Sequence, residues 1–270
     1  MVKSGTPMKK QYPDYLTPLL IFAPAAWALI RANEIRALDR VEFKEPTLDI
    51  GCGDGLVTKL MLSKRSLKYL NTGVDLNVRE VKKAIKLQVY KKCLVANVYN
   101  LPFQDDSFKT VFSNSVIEHI PDLSKAISEM SRVLKKGGMF VITVPSPFLE
   151  KYLIGTHIFG SWYGKLFNKL FKHYNLYNHQ EWQKILIKHN LKLIDHHYYH
   201  TKSMIQMHEF LSYIALPVHL LKPVVGFWPV FPQFRKKYIA SYLKNMLWSY
   251  YIDDVRKDEG GSLLIVARKI

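Results

Sequence analysis

Short apolar runs recur along the first half of the chain, and each is followed by a stretch with helical spacing. The runs cover residues 47–50, 72–74, 93–96, 110–112 and 139–144, with helices predicted at 56–62, 78–88 and 180–190. Strands that alternate with helices are typical of a parallel sheet covered on both faces. The pattern therefore predicts a doubly wound α/β fold with right-handed crossovers.

The turn after the first predicted strand is unusually rich in glycine. Gly51, Gly53 and Gly55 occupy alternate positions that begin two residues after an acid, Asp49. Glycine permits a positive φ and lets a ligand approach the backbone more closely than a Cβ would allow. The third glycine comes one residue too early for the dinucleotide pattern GxGxxG, because position 56 is Leu. An ordinary strand-to-helix turn is the alternative interpretation.

The second predicted strand also ends in an acid, Asp75, about twenty residues after the glycines. A carboxylate at this position can accept hydrogen bonds from two ribose hydroxyls. It can also cap the helix predicted at 78–88, and the two roles are compatible.

Four motifs in order resemble the class I S-adenosylmethionine-dependent methyltransferases, type 11, the branch that includes quinone-biosynthesis methyltransferases. The motifs are LDIGCGDG at 48–55, GVDL at 73–76, LPF with DSF at 101–108, and SVIEHI at 115–120 followed by VLKKGG at 133–138. The likeness covers about residues 46–146 and returns faintly at 191–198 and 261–269.

The resemblance implies S-adenosylmethionine as the cofactor and a role for each matching residue. Gly51 and Gly53 would lie against the methionine part, with Asp49 orienting the loop or binding the amino group, and Asp75 would hold the ribose. Asn97 stands where relatives usually have an Asp facing the adenine amino group, and an amide oxygen can accept the same bond. The other cofactor-binding residues implied are Leu76, Val98 and Asn114. Lys109 replaces an acid common in relatives.

The resemblance also completes the predicted sheet. It assigns 191–198 and 263–268 to a terminal pair of strands, the last antiparallel, which gives a seven-stranded, mostly parallel, Rossmann-like sheet. Residues 1–45 then form an N-terminal helical cap or membrane-contact segment before a methyltransferase domain at 46–270. Insertions at 147–178 and 200–260 fall after strands 5 and 6, where they can form a substrate lid or a membrane contact.

His119 is the first candidate for a general base, with Glu118 beside it, because both follow the fourth strand where the methyl group should project. The alternative is that this pair only orients the adjacent helix. Weaker candidates, which can line an aromatic pocket, are His157, His173 and His179.

The net charge of +17, from 39 basic and 22 acidic residues, predicts a negative partner, either nucleic acid or an anionic membrane surface. The aromatic and basic segment at 204–251, which contains the cluster Arg235-Lys236-Lys237, suits a membrane interface, as does 15–30 after Lys9-Lys10. Packed extra helices are the alternative.

The histidine and cysteine content indicates no metal site. Two cysteines, Cys52 and Cys93, are too few for a disulfide framework, so we expect a reducing, cytoplasmic compartment with peripheral membrane contact. The cluster His196-His197-His200 is a poor metal site, because neighbours on a strand point to opposite faces.

These features favour a methyltransferase that acts on a hydrophobic small molecule, such as a quinone, isoprenoid, lipid or lipid-linked intermediate, at a membrane surface. An RNA methyltransferase is the second hypothesis. The chain lacks the Asn/Asp-Pro-Pro-aromatic motif that amino-directed base methylases place after the fourth strand, since residues 113–116 read SNSV. A non-catalytic scaffold with a cofactor fold is the third. The sequence leaves the oligomeric state open.

Overall fold

The computed structural model of the chain describes residues 12–217, 220–221, 232–255 and 258–270. Seven strands are present: β1 Thr47–Ile50, β2 Leu70–Asp75, β3 Tyr90–Val95, β4 Phe108–Asn114, β5 Leu134–Pro145, β6 Leu191–Tyr199 and β7 Ser262–Lys269. The helices before β6 are α1 Leu16–Phe22, α2 Ala25–Leu38, α3 Leu56–Leu62, α4 Val78–Leu87, α5 Leu123–Val133, α6 Phe148–Tyr152, α7 Ile154–Phe159, α8 Ser161–Leu170 and α9 His179–Ile187. After β6 come α10 Lys202–Ile214 and α11 Ala240–Ile252.

The strands form one sheet in the order β3-β2-β1-β4-β5-β7-β6. β1 to β5 pair in parallel, and β7 lies antiparallel between β5 and β6. The predicted seven-stranded, mostly parallel α/β fold is confirmed. The order reverses between β1 and β4, and ligands of doubly wound sheets bind outside the carboxyl ends of the strands at such a point.

Both faces of the sheet are covered by a hydrophobic layer. Neighbours on a strand alternate between the two: Val111 joins one layer and Phe112 the other, as do Phe140 and Val141. Strands buried on both faces need near-continuous apolar sequence. This requirement explains why short apolar runs were a sufficient signal for the strands.

The apolar N-terminal stretch lies in the core. Tyr15, Leu16, Leu19, Leu20 and Leu29 are fully buried, and α1 and α2 belong to the layer that includes Phe112. These side chains are therefore not available to a bilayer, and the helical cap is the alternative that fits. Lys9-Lys10 lie outside the described residues. Among the residues described, every helix is too short or too polar to cross a membrane.

The two insertions are helical. Residues 147–178 contain α6, α7 and α8, whereas α10 and α11 belong to the 200–260 insertion, with a turn of π-helix at Arg235–Ile239 before α11. The stretch 222–231, which holds much of the predicted membrane-contact sequence, lies outside the described residues, as do residues 218 and 219.

Candidate cofactor-binding site

The glycine turn after β1 needs glycine for two separate reasons. Gly51 has φ +75°, and a Cβ there would overlap the side chain of Val116. Its amide donates to the carbonyl of Val74 at 2.8 Å, so the turn is held against the end of β2. Gly55 adopts φ +79° at the start of α3. A residue with a side chain would be strained at either position.

Gly53 and Asp75 meet across the carboxyl edge of the sheet. The Gly53 amide donates to Asp75 Oδ2 at 2.9 Å, and Asp75 Oδ1 accepts from the Asn77 amide at 2.8 Å. Gly53 has φ +54°, and nothing lies within 4 Å of the place where a Cβ would be. Asn77, not Asp75, caps α4 by accepting from the Arg79 amide.

Asp49 is a buried carboxylate beneath the turn. Its Oδ2 accepts from Tyr90 Oη at 2.6 Å and from Thr58 Oγ1 at 3.0 Å. Burial raises the pKa of Asp49 to about 7, against the opposing effect of those two hydrogen bonds. Asp49 thus ties β1 to β3 and α3, and its Oδ1 takes no part in these bonds.

A cavity of about 250 Å³ opens above the turn. Its walls combine the glycine turn, the start of α3, the end of β4 and one side of α2. The lining includes Asp49, Gly51, Gly53, Asn114, Ser115 and Val116, together with Trp27 and Arg31. The sequence analysis did not identify Trp27 or Arg31, which come from the N-terminal helix.

A buried carboxylate fixes α2 over this cavity. Glu34 accepts from Arg31 Nη1 at 2.5 Å, from Asn114 Nδ2 at 3.1 Å, and from the hydroxyls of Ser115 and Thr143. Burial alone would raise the pKa of Glu34. The positive charge of Arg31 and the hydrogen bond from Ser115 have the larger combined effect, so the pKa of Glu34 is lowered. The ionised carboxylate therefore links α2 to the ends of β4 and β5. Charged residues within the apolar helix were the only sequence signal for this contact.

The other predicted cofactor residues occupy the ends of β2 to β4. Leu76 is 70% exposed after β2, and Val98 is half-buried after β3. Asn97 is exposed, and its Oδ1 accepts from the Tyr99 amide at 3.0 Å. Asn114 lines the cavity, but its amide group is bound to Glu34 and Thr143. The structure therefore brings Asn114 to the glycine turn through the Glu34 network.

Glu118 and His119 form a short turn of 3₁₀-helix after β4. Glu118 is buried, and its Oε2 has no hydrogen-bond partner among the described residues. Burial raises the pKa of Glu118 to about 8. His119 is partly exposed, with Nε2 at 3.8 Å from Glu118 Oε1 and Nδ1 at 3.3 Å from the carbonyl oxygen of Lys172. Burial also lowers the pKa of His119.

The end of the first insertion holds this turn in place. The Tyr174 amide donates to the Glu118 carbonyl at 2.7 Å, and Asn175 Nδ2 donates to the carbonyls of Ile117 and Ile120. The His173 ring lies 5.4 Å from that of His119 and 6.0 Å from that of Phe171. Of the weaker histidine candidates, His173 alone is shown in ring contact with His119.

The remaining histidines are dispersed. His157 is exposed on α7. His200 is buried with Nδ1 at 2.8 Å from Ser262 Oγ, while His197 lines a different cavity beside Tyr12. The ring of His196 stacks on that of His179 at 4.1 Å and 6°, and Asp258 completes a group whose ligand atoms lie within 4.8 Å of one another. Parallel ring planes do not direct their lone pairs at one point, so this group is not a convergent ligand set.

The two cysteines meet beneath the glycine turn. Cys52 Sγ and Cys93 Sγ lie 3.6 Å apart, and both thiols are free. Contact with Cys93 and burial raise the pKa of the Cys52 thiol.

A larger cavity of about 470 Å³ lies at the opposite end of the strands. Its charged lining residues are mostly basic: Arg40, Lys44, Lys109, Lys135, Lys136 and Arg268, beside Glu42 and Asp195. It contains none of the glycine turn residues. We therefore place the candidate site at the carboxyl edge, where four of the predicted cofactor-binding residues, Asp49, Gly51, Gly53 and Asn114, line the smaller cavity. The other predicted residues lie outside its lining: Asp75, which binds the Gly53 amide, and Leu76, Asn97, Val98, Glu118 and His119.

Comparison with known proteins identifies the same part of the chain. Residues 48–142 match a family described as a methyltransferase domain. An uncharacterised protein of Methanocaldococcus jannaschii is 32% identical over 162 residues, which cover 59% of this chain and 64% of the relative. The 2-methyl-6-phytyl-1,4-hydroquinone methyltransferase of Synechocystis is 31% identical over 126 residues, 42% of this chain and 39% of that enzyme.

The fold extends beyond the matched sequence. A solved structure of an S-adenosylmethionine-dependent methyltransferase of Thermotoga maritima superposes with a TM-score of 0.56 at 18% identity, covering 91% of both chains. That identity is low, so the likeness concerns the fold alone. The chain spans about half the length of the curated relatives it matches.

Proposed function

We propose that this chain, a class I S-adenosylmethionine-dependent methyltransferase of type 11, transfers a methyl group to a hydrophobic small molecule. The cofactor of this class is S-adenosylmethionine. The observation that carries the proposal is the meeting of Gly53 and Asp75 at the carboxyl edge of the sheet, inside the matched segment 48–142.

The residues around the cavity have the chemistry that this cofactor requires. Arg31 lines the cavity, and its Nε is buried without a hydrogen-bond partner in the described part of the chain. A guanidinium with an unused donor fits the methionine carboxylate. Gly53 leaves room at the backbone, and Asp75 provides acceptors for the ribose hydroxyls. Exposed Leu76 offers an apolar contact to the adenine ring.

Asp75→Ala should weaken S-adenosylmethionine binding by about 1 to 3 kcal/mol, because the ribose loses its hydrogen-bond acceptor. Isothermal titration calorimetry measures the change. Asn77→Ala is the matched control, since it removes the cap of α4 in the same turn. The control should lower stability but leave the affinity within twofold. An unchanged affinity in Asp75→Ala would refute the ribose assignment.

When bound, the cofactor supplies a methyl group that is already activated by its sulfonium, so the protein needs only to position the acceptor and remove a proton. His119 is the proposed base. A carbonyl oxygen only accepts, so the contact with Lys172 places the imidazole proton on Nδ1 and the lone pair on Nε2. Glu118 Oε1 lies 3.8 Å from Nε2, and because burial raises the pKa of Glu118 to about 8, its carboxyl is mostly protonated at pH 7 and contributes to the position of the imidazole rather than a counter-charge.

The pH dependence of the rate distinguishes the two candidate bases. The pKa of His119 is lowered from 6.5, so the neutral base is present at pH 7 and the rate should fall only as the pH drops below about 6.5. His119→Ala should abolish that limb. If Glu118 were the base, the rate would rise instead around its pKa of about 8, and Glu118→Gln would remove the rise. The measurement is the rate from pH 5 to 9.

An apolar and aromatic wall beside His119 supports a hydrophobic acceptor. Phe167 and Phe171 pack together, with ring centroids at 4.4 Å, and both lie about 6 Å from His173, next to His119. Aromatic walls with few polar groups are typical of sites for apolar ligands. The Synechocystis relative, a methyltransferase of a phytyl hydroquinone, has an acceptor of this chemical class by its name.

A hydrophobic acceptor of this kind is dissolved in lipid, so the proposal includes action at a membrane surface. The net charge of +17 favours an anionic surface. RNA is the alternative anionic partner. The third hypothesis is a non-catalytic scaffold, which has the cofactor fold but transfers no methyl group.

One experiment tests the acceptor class directly. The protein is incubated with methyl-labelled S-adenosylmethionine and a cell extract, which is then divided into lipid, RNA, protein and small-molecule fractions. We expect the label in the lipid fraction. Label in RNA would overturn the acceptor assignment, and no transfer to any fraction by a protein that binds the cofactor would support the scaffold.

A further inference from the structure

Helix α8 packs on the protein through its small and polar side. Gly164 and Asn168 are its buried residues. A Cβ at position 164 would overlap Glu150, and Asn168 Nδ2 donates to Glu150 Oε2 at 3.0 Å. A surface helix of a globular protein normally buries an apolar stripe and exposes a polar one. In α8 the buried residues are small or polar, while the aromatic Tyr163 and Phe167 are only partly buried against a small apolar cluster and the other large apolar residues face outward.

The outward side of α7 and α8 carries a stripe of large apolar residues at intervals of four. Its members are Ile158, Trp162, Leu166 and Leu170, exposed by 66%, 58%, 41% and 70%. A second stripe, of exposed lysines, runs beside the first. Lys165 and Lys169 directly precede Leu166 and Leu170, and Lys172 follows just after the end of α8. Apolar side chains flanked by lysines are typical of helices that lie in the plane of a membrane interface.

The end of α10 continues the apolar surface. Phe210, Tyr213 and Ile214 are each more than half exposed. The hydroxyls of Tyr163 on α8 and Tyr213 on α10 contact each other, and both donate to the buried carboxylate of Glu209. Glu209 also accepts from the amides of Ile154 and Gly155 at the start of α7. These bonds fix α7 and α8 beside α10.

A long segment of each insertion carries only positive charge. Residues 151–180 contain four lysines and no acid, and residues 210–252 contain five basic residues and no acid, although Glu150 and Glu209 stand just before these segments. The chain has 22 acidic residues, so both sequence segments are selectively basic. Such a surface complements a negatively charged partner that also accepts apolar side chains.

We propose that the outward stripe of α7 and α8, together with Phe210, Tyr213 and Ile214, docks on the surface of an anionic phospholipid bilayer. The docking face lies within the two insertions, for which the sequence predicts a membrane contact or a substrate lid, and it leaves out the N-terminal stretch 15–30, which is mostly buried. The docking proposal rests on the proposed function in one respect. Helix α8 leads from the exposed stripe to Phe171 and His173 beside His119, so an acceptor that leaves the bilayer would reach His119 along α8.

The test measures binding to vesicles, and methyl transfer to the fractions of a cell extract is measured separately. Sedimentation of the full-length protein with vesicles of phosphatidylcholine and phosphatidylglycerol should show binding, and vesicles of phosphatidylcholine alone should bind it at least about tenfold more weakly. Leu166→Ser with Leu170→Ser should weaken binding to the anionic vesicles by at least about tenfold, since two large apolar side chains no longer enter the interface.

The matched control is Ile85→Ser with Ile187→Ser, two aliphatic residues of similar exposure on α4 and α9. This control should bind vesicles like the wild type, and both double variants should keep the wild-type affinity for S-adenosylmethionine.

Brominated lipid should quench the tryptophan fluorescence of the wild-type protein, and Trp162→Phe should lose most of that quenching. Methyl transfer without vesicle binding would overturn the docking face alone, whereas vesicle binding without transfer would overturn the proposed function alone.

Two other results would also overturn the docking proposal. One is equal vesicle binding by the wild type and the Leu166/Leu170 variant. The other is self-association in sedimentation velocity that the same variant abolishes, with no vesicle binding, which would make this face a contact between copies of the chain.

Discussion

Gly53→Ala is expected to weaken S-adenosylmethionine binding by about a hundredfold or more, which corresponds to about 2.7 kcal/mol. The place of its Cβ is open in the structure, and Gly53 lines the cavity beside Asp75. A methyl group there would occupy the space in which the ligand approaches the backbone. Titration calorimetry gives the affinity, and chemical denaturation gives the free energy of unfolding.

Gly137→Ala is the matched control for this prediction. Gly137 also has a positive φ, +74°, and nothing lies within 4 Å of its Cβ position, but it lies at the opposite end of the sheet. Both variants should lose about 1 to 2 kcal/mol of stability from the left-handed backbone. The prediction fails if Gly53→Ala keeps the wild-type affinity, or if Gly137→Ala loses as much affinity as Gly53→Ala.

Glu34→Ala is expected to lower the free energy of unfolding by about 3 to 5 kcal/mol, because Arg31 would remain largely buried without its partner. The substitution also removes the acceptor for Asn114, Ser115 and Thr143. α2 would then lose its polar connection to the ends of β4 and β5. Since Trp27 and Arg31 line the cavity from α2, cofactor binding should weaken as well.

Glu80→Ala is the control, because Glu80 forms the same kind of i,i+3 pair with Lys83 on the surface of α4. An exposed pair contributes only about 0 to 1 kcal/mol. Denaturation of the two variants under the same conditions gives the comparison. Equal losses of stability would contradict the role assigned to the Glu34 network.

The central sheet could be predicted from the sequence because its signals are local. Each of the five parallel strands contains a short apolar run, although β3 also includes the exposed Lys91 and Lys92. The glycine turn and Asp75 stand directly at strand ends. The parallel arrangement then brings those ends to one edge. The positions of Gly53 and Asp75, joined at 2.9 Å, follow from this topology.

The role of α2 could not be predicted in the same way. Glu34 contacts Asn114 and Thr143, which are 80 and 109 residues away in the chain. No local pattern specifies such a contact. The apolar stretch around α1 and α2 was consistent with either a membrane contact or a cap, and only packing against Phe112 and Tyr251 distinguishes the two.

The orientation of α8 likewise could not be predicted from the sequence. Spacing by four predicts a stripe that includes Trp162, Leu166 and Leu170, but it does not say whether the stripe faces the protein. The buried contact of Gly164 and Asn168 with Glu150 decides the orientation. Asn97 as an adenine contact, and Leu76 and Val98 as cofactor-binding residues, remain predictions.

Binding of S-adenosylmethionine at the glycine turn is tested by a calorimetric titration of the wild-type protein with this cofactor. We expect saturable binding with one molecule per chain, and a clear loss of affinity in Asp75→Ala. Heats equal to those of dilution, from a protein shown to be folded by circular dichroism, would contradict it.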